Sequence, residues 1–142
     1  MFLLDTNVVS ELRRRRKADQ RVLDWAAALP EASAFISVVT LFEIELGILL
    51  LARRDQDQAA HLRRWLDIRV MPDFDGRVLP IDVAIARRCA ALHVPDPRSD
   101  RDALIAATAL VHGMTVATRN VGDFEGTGVP LFNPWAVDTE QE

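Results

Sequence analysis

The chain has 142 residues, enough for one domain with a real core and too few for two enzyme domains. At 49% hydrophobic and 27% charged it has ordinary globular composition, which excludes the disordered, collagenous and fibrous classes. Seventeen basic against 21 acidic residues leave a net charge of -4, so the chain is no general polycation for gripping nucleic acid.

In chain order, Phe2 to Leu4 is short, apolar and followed at once by Asp5-Thr6-Asn7, the pattern of a buried strand ending in a polar loop. The run is too short for a secretory leader, and nowhere do apolar residues approach the roughly 20 needed to cross a bilayer. Val8 to Arg14 reads as a short helix, and the five cations Arg13 to Lys17 mark its solvated end. Val22, Trp25, Ala26 and Leu29 recur at helical spacing and predict a core-facing helix that Pro30 stops. Ala34 to Ile36 is a second strand. Either Ser37 or Thr40 can cap the apolar helix that follows, Leu41 to Leu51. A polar break from Ala52 to Gln58 precedes another helix, with Leu62, Trp65, Leu66 and Ile68 on its inner stripe. Pro72 to Gly76 is turn material, and Val78 to Ile81 is a strand weakened by Pro80.

Val83 to Leu92 predicts a helix carrying the single cysteine, Cys89, as a buried thiol; one cysteine excludes an internal disulfide. After two prolines, Ser99 precedes the apolar helix Ala103 to Val111, closed by Gly113. Thr115 to Ala117 is a further strand, Gly122 to Gly128 a loop and Pro130 to Phe132 a short edge strand. Residues 1–137 are expected to form one domain and 138–142 a frayed acidic tail. Short apolar strands alternating with helices predict an α/β fold, a sandwich of helices around a mostly parallel central sheet. Ligands of such folds collect beyond the carboxyl ends of the strands, where strand order reverses.

Four acids fall at strand exits or helix entries: Asp5, Glu43, Asp102 and Asp123. Carboxylates without His or Cys beside them suit magnesium or manganese and match zinc poorly. That donor set implies phosphoryl transfer, with the metal relieving repulsion among the acids. Each acid also has a structural explanation. Ser99-x-x-Asp102 and Thr40-x-x-Glu43 both match a capping box, Asp5 can close an Asx-turn, and Asp123 can start a turn. Among the neighbours, Thr6 and Asn7 can hold Asp5, and Ser37 is a helix cap or a partner for a carboxylate. Thr118 and Asn120 can arrange the last acidic loop, and Arg87 either pairs with the acids or packs its stem on a helix. His61, His93 and His112 share no ligand spacing, and neither a P-loop nor a Gly-x-Ser-x-Gly elbow is present.

Phe2-Leu-Leu-Asp5-Thr-Asn-Val-Val-Ser-Glu11, Ile36 to Glu43, Asp102 to Leu110, and Thr118-Arg-Asn-Val-Gly-Asp-Phe124 followed by Phe132-Asn-Pro-Trp135 occur in an informative order. In that order, over nearly the whole chain, they resemble the PIN-domain ribonucleases, and among them the VapC-like toxins of bacterial toxin-antitoxin pairs, in the FitB-like branch. The resemblance implies a PIN-like three-layer α/β/α fold and endonucleolytic RNA cleavage through metal-activated water, with Mg2+ or Mn2+ as cofactor. It implies Asp5, Glu43 and Asp102 as central metal-binding acids, Asp123 as the fourth and Asn120 as a helper. It also implies a homodimer, a small VapB-like antitoxin, operator DNA bound only through that antitoxin, a cytoplasmic location and no membrane. The apolar Leu46 to Leu51 surface and the Leu62, Trp65, Leu66 stripe are interface candidates that compete with ordinary core packing. Two other classes stay open on residues alone. A metal-dependent phosphatase is one, although Asp5-Thr-Asn7 lacks a second acid two positions on; a non-catalytic antitoxin-bound regulatory module is the other.

Overall fold

The computed structural model describes residues 1–136, so the tail expected at 138–142 lies outside the described residues. The chain begins with β1 (Phe2–Leu4), α1 (Thr6–Arg13), α2 (Gln20–Ala28) and β2 (Ala34–Ser37). Next come α3 (Val38–Ala52), α4 (Gln56–Trp65), a π-helical turn at Leu66–Val70, the single turn α5 (Met71–Asp73) and β3 (Val78–Leu79). Then follow α6 (Val83–Leu92), α7 (Asp100–His112), β4 (Thr115–Ala117) and β5 (Leu131–Phe132). The strands form one sheet in the order β3-β2-β1-β4-β5. Every pairing is parallel, one step beyond the mostly parallel sheet expected.

The strands are apolar at successive positions because both faces are covered. Leu3 and Val116 face α7 and meet Ile105, Ala106 and Ala109, while Leu4 and Ile36 turn the other way onto Val8 and Val22 of α1 and α2. Alanines give α7 a slim flank, and α6 packs behind it by setting Ile85 and Cys89 against Ala103 and Ala107. Burial, reinforced by Asp100, pushes the Cys89 thiol up, so it is a poor nucleophile. Gly113 adopts φ 67° and ends α7, the left-handed cap that a side chain would strain. Helices on both faces make the expected three-layer sandwich.

Several local expectations change. Ser37, not Thr40, caps α3, its hydroxyl accepting from Val39 N–H at 2.9 Å. Thr40 is therefore inside the helix and completely buried. Helix α4 does not continue regularly: the π-helical turn adds a residue and rotates the inner stripe, so Leu66 and Val70 are buried and Ile68 is 61% exposed. Leu66 is thereby core rather than interface. The Leu46 to Leu51 segment divides, with Ile48 buried and Leu49 and Leu50 exposed.

Glu11 is a buried acid that fixes the basic turn after α1. Its Oε2 accepts from Asp19 N–H at 2.7 Å, and its Oε1 pairs with Arg14 at 3.1 Å. Glu11→Ala leaves the Asp19 N–H without its acceptor and is expected to cost about 1–3 kcal/mol. Urea unfolding checks this; an unchanged midpoint contradicts the bracing role.

The connections place the site. β1, β2 and β3 run outward to one edge, and the chain then returns through α6 and α7 to lay β4 on the opposite side of β1. Strand order therefore reverses between β1 and β4, and the crevice beyond their carboxyl ends begins at Asp5 and Thr118.

Candidate active site

Asp5 leaves β1, and its N–H still pairs with Ala117 O at 2.9 Å, so the sheet holds its backbone. It is also the N-cap of α1: Oδ1 accepts from Thr6 N–H at 2.8 Å. The other oxygen, Oδ2, accepts the Thr118 hydroxyl at 2.8 Å across the strand boundary. Thr118 is fully buried, and its oxygen in turn accepts from Asn120 N–H at 3.0 Å and Asn7 Nδ2 at 3.2 Å. Asn7 completes the tie by accepting from Arg119 N–H at 3.3 Å. One carboxylate is thus clamped by the ends of two adjacent strands and one helix.

Glu43 lies on α3 and is held differently. The Thr6 hydroxyl donates to its Oε1 at 2.7 Å and stands 3.2 Å from the Thr40 hydroxyl. Asp102 is in the first turn of α7, where the Ser99 hydroxyl accepts from its N–H at 3.4 Å. Asp123 is exposed on the short 3-10 turn Val121–Phe124 after β4. Thus Ser99 does cap as its spacing suggests.

Asp5 and Asp102 feel the neighbouring acids. Burial pushes the Asp5 carboxyl above its ordinary range; hydrogen bonds from Thr118 and Thr6 restrain that rise, and the charges of Glu43 and Asp123 add to it. Asp102 is also raised, first by burial and then by Asp5, Asp123 and Glu43. The acids are therefore neighbours in space, although no three His, Cys, Asp or Glu side chains among the described residues are already gathered to hold one ion. Hard carboxylate oxygens around a buried Asp5 fit a hard divalent cation by donor type and charge.

Of the supporting residues predicted, the structure brings Thr6, Asn7 and Thr118 to the acids and supplies Asn120 only through its backbone. Ser37 is spent as the α3 cap. Arg87 lies on the exposed face of α6 and enters none of the described ion pairs. The cation beside the acids is instead Arg101, whose guanidinium is 3.7 Å from Glu43 Oε2 and 4.9 Å from the centroid of Phe42. Its position next to Asp102 was the only signal in the sequence. The partner on α3 lies 58 residues away, beyond any local spacing rule.

The repulsion has a stability consequence in the metal-free protein. A carboxyl whose folded pKa is raised binds protons more readily folded than unfolded, so stability falls as pH rises through that range. Asp102→Asn removes the penalty. In chelator at pH 7 it is expected to gain about 0.2–1 kcal/mol, a modest figure because Asp102 is only half-buried. The gain should vanish as pH falls towards the ordinary value of 3.8. Thermal melts across pH test this, and a variant destabilised at pH 7 contradicts the coupling.

Comparison with known proteins decides the family: residues 2–128 match the PIN domain. The chain belongs to the PIN-domain family. This PIN domain is 38% identical to the toxin FitB of Neisseria gonorrhoeae over 141 residues, covering 95% of this chain and 99% of that protein. It is 36% identical to the VapC ribonuclease Y4jK of Sinorhizobium fredii over 140 residues, covering 95% and 98%. Its fold matches the structure of FitAB bound to an IR36 DNA fragment with TM-score 0.87 at 36% identity, covering 97% of this chain and 98% of that one. The expected resemblance to FitB- and VapC-like proteins is thereby established. Among the described residues no helix is long and apolar enough to cross a membrane.

Proposed function

We propose that this PIN domain is the toxin of a toxin-antitoxin pair and acts in the cytoplasm as a magnesium-dependent endoribonuclease, with manganese able to substitute. The observation that carries the reading is the Asp5 clamp at the β1/β4 switch point, facing Glu43, Asp102 and Asp123. Asp5, Glu43, Asp102 and Asp123 would hold the ion. When bound, it would supply Lewis-acid stabilisation of phosphate charge and a more acidic water.

The chain's own residues supply position and charge. Thr118 and Thr6 N–H fix both oxygens of Asp5, and the Thr6 hydroxyl fixes Glu43, so neither acid must reorient when RNA arrives. Arg101 offsets part of the acidic field beside Glu43 and stands where a phosphate oxygen can be met. Hydrolysis adds water across a phosphodiester P–O bond, so no protein nucleophile is required, in keeping with the buried Cys89 thiol.

The relatives support the partner reading. FitB is named a toxin, Y4jK a ribonuclease, and FitAB has been solved on DNA. We assign this chain a small VapB-like antitoxin, contact with operator DNA through it, and a homodimer to which exposed Leu49 and Leu50 can contribute. Regulated expression in a bacterial host tests the toxin role. Growth is expected to stop with wild type, continue with Asp5→Asn, and recover when the product of a neighbouring short reading frame is co-expressed and copurifies. Unimpaired growth at verified levels of folded wild-type protein contradicts it.

A further inference from the structure

A groove leads away from the acids, lined in part by Ile44, Ile48, Leu51 and Leu62 of the core, and neither the acid site nor the core accounts for the arginines beside them. On α1, Thr6, Ser10 and Arg13 recur at spacings of four and three and share one helix face. With Gly47 and Arg54 on the α3 side and Trp65 at the end of α4, they line a cavity of about 280 Å³ whose inner end is Thr6 and Glu43. Arg13 stands over Trp65, its guanidinium carbon 5.9 Å from the ring centroid. Beyond Trp65 the surface continues into a second hollow of about 340 Å³, which adds Arg15 and Arg69, with Asp73 at its side. None of Arg13, Arg15, Arg54 and Arg69 enters an ion pair among the described residues.

We infer that this groove is a strand-guiding subsite for single-stranded RNA: Arg13, stacked on Trp65, and Arg54 hold phosphates flanking the scissile one. The inference rests on the ribonuclease reading above and adds where the substrate lies. Charge complementarity favours this occupant. Guanidiniums that enter no ion pair among the described residues, one of them held in place over an aromatic ring, suit a phosphate backbone by charge and by their planar fork of donors. Continuity with Thr6 and Glu43 gives direction, since a strand whose phosphate reaches the acids has the arginine-lined groove as its exit. It also gives part of the Arg13 to Lys17 run a role: Arg13 works in the groove, and Glu11 fixes the turn behind it. Overall acidity of the chain is no obstacle, because the cations are local.

Gly47 permits a test that spares the fold. A Cβ there meets nothing within 4 Å, and a helix interior accepts most residues better than glycine. Gly47→Glu therefore puts bulk and negative charge into the groove while keeping or raising Tm, and Gly47→Ala is its control. Binding of a fluorescent single-stranded oligoribonucleotide is measured in the Asp5→Asn background with magnesium, and cleavage in the wild-type background. Gly47→Glu is expected to weaken binding on the order of tenfold, and Gly47→Ala to leave it unchanged. Arg13→Gln with Arg54→Gln should lower the steepness of log affinity against log salt by about 1.4, the signature of two lost phosphate contacts on a single strand. In cleavage, the same pair should raise KM and leave kcat within about threefold.

Unchanged affinity and salt dependence in both variants, with cleavage still dependent on Asp5, overturns the groove assignment and leaves the nuclease standing. Groove-dependent RNA binding with no cleavage by the wild type supports the groove and removes the nuclease reading. Variants that bind RNA normally but lose copurification with the neighbouring-frame protein assign the groove to that partner and overturn the inference.

Discussion

Asp5→Asn is expected to lower the rate of RNA cleavage by about 10²–10⁴-fold, because it removes one charge from the metal-holding set and with it several kcal/mol of transition-state stabilisation. The substitution is nearly isosteric and keeps an oxygen for Thr6 N–H, so the helix cap survives. Two effects on stability oppose each other. A desolvated carboxylate disappears, which relieves the burial and repulsion that raise its pKa, but an amide replaces the oxygen that accepts from Thr118 and lies 3.4 Å from Asn7 Nδ2. The variant should therefore fold, with unchanged circular dichroism and a Tm within a few degrees of wild type. Cleavage at the wild-type rate, after removal of host nucleases, contradicts the role of Asp5.

Thr118→Val should be the most destabilising conservative change at the site. The hydroxyl is completely buried and makes one donation and two acceptances, to Asp5 Oδ2 and from Asn120 N–H and Asn7 Nδ2. Valine keeps the shape, strands Asn120 N–H and leaves Asp5 Oδ2 and Asn7 Nδ2 only their mutual 3.4 Å contact, which is expected to cost about 2–3 kcal/mol. In a domain of this size that corresponds to a Tm fall of about 6–12 °C. Activity should fall about 10–100-fold even at temperatures where the variant is folded, the usual effect of losing a group that orients a metal-binding residue. Thr118→Ser, which keeps the hydroxyl, is expected to restore most of both. A valine variant that retains Tm and activity means that the sheet backbone alone places Asp5.

The sheet and its switch point were legible because strands covered on both faces are uniformly apolar and leave short, unmistakable runs such as Phe2 to Leu4 and Thr115 to Ala117. The acids stood out because a carboxylate directly after such a run must find donors or a cation. The start of α1 was harder to read. Asp5 is at once strand end, helix cap and site residue, so the helix begins at Thr6 rather than Val8. That two-residue shift concealed the Thr6, Ser10, Arg13 face and hence the groove. The π-helical turn at Leu66–Val70 was invisible for a related reason: one added residue breaks the period on which the inner stripe was read, and Ile68 turns out to solvent. Arg101 could not have been paired with Glu43 from spacing, since α3 and α7 meet only through tertiary packing. Ser37 and Thr40 were equivalent as caps by residue type, and only the end of β2 at Ser37 decides between them.

The most direct measurement is incubation of purified protein with a mixed cellular RNA pool, with magnesium, with manganese and with chelator, mapping every new end and running Asp5→Asn in parallel. Discrete new ends that require the metal and vanish with Asp5→Asn are the predicted result. No new ends from folded, metal-loaded wild type, or the same ends in chelator and in the variant, would contradict a ribonuclease built on these four carboxylates.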